Sequence, residues 1–228
     1  FMAGISGQAS GGGVPVFVNS AGKLGTSTDV SLAVWSLTGN AGTNPATNFI
    51  GTTDAQPLEL RVAGQRVLRI ESVAALGDVS VNVLGGHPGN NVVAGVTGAT
   101  IAGGGGLPGG FGAPNQVTAN FGTVGGGVGN IASGELSTVA GGGGNIASGA
   151  QSTVAGGRNN RASQLNSTVA GGVANFASGE RSAVAGGVSN VASGVRSTVP
   201  GGDSNEAGGA FSFAAGRRAD VRDAAQVV

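Results

Sequence analysis

The amino-acid sequence predicts an all-β protein: a parallel β-roll, or β-solenoid, of 15-residue coils, homotrimeric and preceded by a small β-hairpin module. Three observations carry that expectation. Asn recurs at 115, 130, 145, 160, 175, 190 and 205, always fifteen residues apart, with Asp220 next in the series. Glycine supplies 48 of the 228 residues, about three times ordinary usage. It falls every few residues, which excludes helix at a cost of about 1 kcal/mol per glycine against alanine. Yet 39% of the chain is apolar and its mean hydropathy is +0.19, too hydrophobic for a disordered linker. Collagen is excluded as well, because Ser133–Val139 breaks the one-in-three glycine rule.

The elements follow in chain order. Residues 1–33 form an N-terminal β segment or connector, with a hairpin expected from Val14–Val18 turning through Asn19–Gly22. Residues 34–78 are a Trp-containing hairpin module. Leu58–Val62 and Arg66–Glu71 alternate strictly around Ala63-Gly64, which predicts two antiparallel strands. Leu58, Leu60 and Val62 would share a face with Leu68 and Ile70, leaving Glu59, Arg61 and Arg69 outside, and Trp35 is expected to anchor the module. Residues 79–114 read as irregular coils interrupted by an insertion, Leu107–Pro114. Residues 115–219 are the regular repeats, and 220–228 a C-terminal tail. Phe211, Phe213, Arg217 and Arg218, with Arg217 in place of the second glycine of the pair, resemble a cap over the last open edge.

Written from Asn130, the unit reads Asn-Ile-Ala-Ser-Gly-Glu-Leu-Ser-Thr-Val-Ala-Gly-Gly-Gly-Gly. It holds two short strand-compatible stretches, Asn-x-Ala-Ser and Ser-Thr-Val-Ala, each ended by glycine where the chain turns. Coils stacked about 4.8 Å apart place identical residues above one another. Asn130, Asn145, Asn160, Asn175, Asn190 and Asn205 then form a ladder that bonds along the axis. Ser137, Ser152, Ser167, Ser182 and Ser197 form a second column whose hydroxyls can do the same. Val139, Val154, Val169, Val184 and Val199 supply the apolar interior. The second, sixth and seventh positions vary.

A single coil is too thin to stand alone. Burying a Val returns roughly 1.5–3 kcal/mol, whereas ordering each backbone residue costs roughly 1–2 kcal/mol. Small residues at so many fixed positions suit the close approach of several chains, and a three-fold rod is the closed arrangement expected.

Little chemistry is expected. Eleven basic residues balance eleven acidic ones, so no net charge steers the chain to nucleic acid or an anionic membrane. No apolar run approaches the roughly 18–20 residues of a membrane span. The chain opens on Phe1 rather than Met, as a processed or excised start would. There is no Cys and one histidine, His87, which sits in a Gly86–Gly89 turn; no catalytic, metal or cofactor residues are assigned. A nucleophile has no reason to recur in every coil, as the serines do. The glycine runs, such as Gly125–Gly129, lack the βαβ context of a nucleotide site. Phe111, Phe121 and Phe176 are the candidates for contact with another surface.

The Asn-x-Ala-Ser-Gly-x-x-Ser-Thr-Val-Ala-Gly-Gly units cover about half of the chain and resemble the head repeats of YadA-like trimeric autotransporter adhesins. That resemblance implies a left-handed roll with three chains packed into a rigid head. Trp35–Asn40, Asn48–Val62 and Ser212–Gly216 are similar to bacterial and phage tail fibre domain-containing proteins. Members of that group often end in a self-cleaving, trimerising chaperone; no stretch here resembles it, nor a membrane anchor or a heptad stalk. The implied function is a structural trimeric fibre segment, in a phage-like tail fibre or secreted surface appendage, that spaces or presents a surface. The location implied is extracellular, at a cell surface or on a virion or tail-like particle. Partners would be two further copies, other fibre subunits, or a cell-surface receptor or glycan. An alternative is an adhesin head that binds a glycan or matrix protein. A third reading, a tailspike-type glycan hydrolase, needs paired carboxylates at one place, and Glu135 and Glu180 stand three coils apart, roughly 14 Å at strand spacing.

Overall fold

The computed structural model describes residues 16–18, 22–26, 35, 37–75, 78–106 and 113–223. By its contacts the chain divides into two units, Phe1–Gly51 and Thr52–Val228. In the first, β1 (Val16–Val18) pairs antiparallel with β2 (Leu24–Thr26), Val16 opposite Thr26. Trp35, expected to anchor the second hairpin, belongs to this first unit and is 49% exposed.

The second unit is a β-solenoid of stacked parallel strands, with no helix among the described residues. It begins at the hairpin. β3 (Leu58–Val62) and β4 (Gln65–Ala75) turn through Ala63 and Gly64, both at positive φ, and β4 pairs antiparallel with β5 (Asp78–Gly85). β5 in turn pairs in parallel with Thr100–Ile101. The hairpin is therefore the first part of a ten-stranded sheet that runs on through the Val column to Thr198–Val199. A second sheet of nine strands carries the Ala column, from Asn91–Val92 to Asp220–Val221. A third side is made of single bridges, Val128 to Gly143 to Arg158 and onward to Arg217.

The faces of the hairpin are turned the other way from expectation. Cross-strand partners share a face, so Leu58, Ile70 and Val83 lie together, as do Leu60 and Leu68. On the opposite face Glu59, Arg69 and Leu84 line up, with Glu71 beside Asn82. Leu84 and Asn82 are buried, which fixes that second face as the interior side. Glu59 and Arg69 are thus on the inner side, and the aliphatic row is outside: Leu60, Ile70 and Val81 are exposed.

From Gln116 onward each strand partner is fifteen residues away, as with Ile131 and Ile146 or Thr138 and Thr153. The interior holds Ala132, Val139 and their equivalents in every coil, all fully buried. Earlier coils are longer: Asn91 pairs with Gln116 and Thr100 with Thr123. The last is shorter. Glu206 pairs with Asp220 and Asp203 with Arg217, so Asp220 does not continue the Asn column. Ala219 stands there instead, because this coil has one glycine, Gly216, where earlier coils have two, and Arg217 lies one place beyond the glycine pair.

Turning is not left to glycine alone. Three positions per regular coil adopt left-handed φ; the thirteenth is always glycine, but the other two mostly carry side chains: Leu136, Gln151, Asn166 and Arg181 at the seventh position, Asn159 and Ala174 at the fifteenth. Positive φ swings their N–H groups back toward the preceding coil, Leu136 N–H to Asn120 O and Asn159 N–H to Gly143 O. The hydrogen bond compensates a conformation that costs a non-glycine residue of order 1–3 kcal/mol.

Candidate functional site

The Asn column is the most closely specified feature of the stack. Each Asn side chain is buried and uses all its near partners. Asn160 Oδ1 accepts the N–H of Asn175 at 2.9 Å, and its Nδ2 donates to Gly156 O and Gly172 O, both at 2.9 Å. The same three bonds recur at Asn130, Asn145 and Asn175. The ladder therefore runs mainly from side chain to main chain; only Asn190 and Asn205 also donate to the Asn Oδ1 below, at 3.1 and 3.0 Å. The column starts earlier than the fifteen-residue spacing indicates. Asn90 Oδ1 accepts Asn115 N–H at 2.9 Å, and the signal for it is the Asn90-Asn91-Val92 triplet, a degenerate copy of Asn-x-Ala. It ends with Asn205 Oδ1 accepting the Ala219 N–H.

The Ser column does not form the expected hydroxyl ladder. Coils stand about 4.8 Å apart, too far for an O–H···O bond of about 2.7–2.8 Å between like hydroxyls. Ser137, Ser152, Ser197 and Ser212 Oγ are buried with no partner. Ser167 Oγ donates instead to Gln164 O within its own coil, at 2.7 Å, and Ser182 Oγ accepts Gly179 N–H at 3.2 Å.

The surface aromatics do not converge. Phe111 lies outside the described residues. Phe121, 47% exposed, occupies the first left-handed seventh-position corner and lies against Gly98. Phe176, 40% exposed, sits in another column, between Arg161 and Val191 on the outer face of the Ala sheet. Phe211 shares the Phe121 column at its far end, with the Arg196 guanidinium 5.3 Å from its ring centre. On the third side, Gly143 and Gly144 leave a shallow depression of about 500 Å³ between Val128 and Arg158.

Titratable groups are dispersed. His87 stays in its turn, Nδ1 accepting Gly89 N–H at 3.0 Å. Among the described residues no three His, Cys, Asp or Glu side chains gather where a metal ion could sit, and no helix is long and apolar enough to cross a membrane. Ion pairs lie at the hairpin, at a corner in the middle of the stack and in the last coils: Arg69 to Glu71 at 2.7 Å, Arg181 to Glu180 at 3.0 Å, Arg217 to Asp203 at 3.6 Å and Arg222 to Asp220 at 2.7 Å. The Arg61 guanidinium, donating to Glu59, holds that carboxyl below its usual range. The hydrogen bond that Arg222 donates to Asp220, and then the charge of that carboxylate, likewise raise Arg222.

What this arrangement does is hold geometry: buried amides and two backbone sheets fix the coil spacing, and the side chains left outside form long parallel columns. No protein-family model matches the chain, and no curated protein matches it either.

Proposed function

We propose that the chain is a structural segment of a trimeric fibre, a left-handed rigid rod that spaces or presents a surface on an extracellular appendage or a virion or tail-like particle. One observation carries this reading: the bond from each Asn N–H to the Oδ1 of the preceding Asn recurs coil after coil at 2.9–3.0 Å. Such uniformity serves a repeating mechanical element and has no use in a localised reaction centre. Ten strands in one sheet span about 43 Å at strand spacing, a length set by coil number. A second reading, an adhesin head for a glycan or matrix protein, draws on the exposed, mixed seventh column, where Arg196 stacks on Phe211. The test is the solution mass of the folded chain by light scattering without denaturant. A mass near three times 21.5 kDa is expected; a folded monomer overturns the trimer. Retention of the trimer on an array of glycans or matrix proteins would move the reading to the adhesin.

A further inference from the structure

We infer that the outer face of the ten-stranded sheet, from the hairpin to the last coil, is the surface on which copies of this chain meet. The inference rests on the trimeric reading and deepens it by assigning the face.

The hairpin supplies the first argument. An isolated β-sheet end would bury its aliphatic row and expose its charges. Here Leu60, Ile70 and Val81 are 49%, 37% and 46% exposed, while Glu59, Arg69 and Glu71 lie on the interior side with side-chain exposures of 23%, 33% and 18%. Aliphatic surface left in water is unfavourable, so a sheet arranged this way calls for a cover.

Continuity says what the cover is. Val83 in the aliphatic row pairs with Thr100, Thr100 with Thr123, and Thr123 with Thr138. The row thus runs unbroken into the ninth-position Thr column, opposite in side to the buried Val column. The eleventh position on the same side is Ala140, Ala155, Ala170 and Ala185. No charged residue occurs in either column from Val83 to Ala215. The charges of the coils fall elsewhere, as with Arg161 and Glu206 on the Ala sheet, Arg158 on the third side, and Glu180 and Arg181 at the corner. An uncharged strip of identical small residues at one pitch matches a surface of the same pitch and polarity, which a parallel copy of the same chain provides.

The area favours three copies over two. The strip is about 43 Å long and about 10 Å wide, roughly 400 Å² per chain. That is half of the roughly 800 Å² per partner of a standard stable interface. Three copies round an axis turn their strips inward together and add the contacts on both flanks, which an isologous pair does not.

The test combines solution mass with single charges placed on each face. The variants are L60E and V81E on the strip, and V191E on the outer face of the Ala sheet as control. The expected result is a trimeric parent and trimeric V191E, with L60E and V81E folded by circular dichroism but shifted to monomer, a threefold loss of mass. Because a strip variant can also fail by unfolding, T153C supplies a second readout in a chain that has no native cysteine. In the folded trimer, the thiol introduced by T153C is expected to crosslink between copies, and the thiol introduced by S178C, on the outer face of the Ala sheet, is not. A trimer that survives L60E and V81E, or that crosslinks in the S178C variant and not in the T153C variant, overturns the assigned face and leaves the fibre reading standing. A monomeric parent overturns both.

Discussion

Asn160→Ala tests whether the ladder holds the coils or merely decorates them. Asn160 is 1% exposed and makes three side-chain hydrogen bonds, each at 2.9 Å. Their net worth is about 1 kcal/mol apiece. Gly172 O keeps a second donor, the Arg158 N–H at 2.9 Å, and Gly156 is partly open to solvent, so neither carbonyl is stranded in apolar surroundings. The Asn175 N–H is stranded: that residue is fully buried, and its one acceptor is the deleted Oδ1. An unsatisfied buried donor costs about 1–3 kcal/mol, part of which the lost bond already counts. The expected loss is about 3–5 kcal/mol, a large share of the roughly 5–15 kcal/mol typical of a folded domain. Guanidinium unfolding followed by circular dichroism, at one fixed chain concentration, reads it. Arg161→Ala, on the exposed outer face of the same coil, is the control and is expected within about 0.5 kcal/mol of the parent. A loss below about 1 kcal/mol for Asn160→Ala, indistinguishable from the control, would refute the ladder as the element that ties one coil to the next.

Other substitutions separate neighbours that look alike in sequence. Gly157 has φ +82°, and a Cβ there would overlap the Gly172 carbonyl oxygen, whereas Gly156 faces open space at ordinary φ; Gly157→Ala is expected to cost at least about 3 kcal/mol and Gly156→Ala under about 0.5 kcal/mol by the same assay. Ser152→Ala removes a buried hydroxyl that has no partner and is expected to be neutral or to stabilise by about 1 kcal/mol. Val154→Ala deletes two buried methyl groups and is expected to cost about 2 kcal/mol; a Ser152→Ala loss equal to it would contradict the unpaired hydroxyl. Glu59 titrates below its usual 4.5 because Arg61 donates to it. A lowered carboxylate contributes stability above its unfolded value and loses it as pH falls through the folded one, so amide protection along β4, corrected for the intrinsic pH dependence of exchange, should weaken below about pH 4.5 in the parent and show no such step in Glu59→Gln.

The periodic part of the fold is legible in the sequence because strict fifteen-residue spacing leaves few alternatives. Asn130 through Asn205 fall into one column and Val139 through Val199 into another, as their spacing predicts. What escapes is what spacing does not encode. Asn90 belongs to the ladder but stands twenty-five residues before Asn115, beyond a long coil, as the pairing of Asn91 with Gln116 records. Counting by fifteen reaches Asp220, and a single missing glycine puts Ala219 in its place. The Ser column fails as a ladder because a hydroxyl, one bond from Cβ, cannot bridge the coil spacing that an amide bridges through the neighbouring backbone. In the hairpin, alternation correctly groups Leu58 with Ile70 and Glu59 with Arg69. It is symmetric about the sheet plane, however. Which face turns inward is decided two strands later, where β5 commits Asn82 and Leu84 to the interior.

Each coil therefore divides its fifteen positions between two tasks. The first, third, eighth, tenth and thirteenth set the pitch through buried amides, a thin apolar interior and a glycine that no side chain can replace without meeting the next coil. The second, sixth, seventh and fourteenth carry the variation: Ile131 gives way to Arg161, Phe176 and Glu206 along one column with no change in register. Since each coil contacts its two neighbours alone, a change at a variable position stays local, whereas a change at a pitch position is felt by the coil above and the coil below. The ends obey the same logic. Pro200 stands where Ala140, Ala155, Ala170 and Ala185 each donate an N–H to the following coil. It has none to give, and the Val-column sheet goes no further than a single bridge, Thr198 to Phe213. The Val-column sheet thus loses its regular pairing where the sequence withdraws a donor, whereas the Ala-column sheet, with the Glu206 and Gly208 N–H groups intact, runs on to Asp220–Val221.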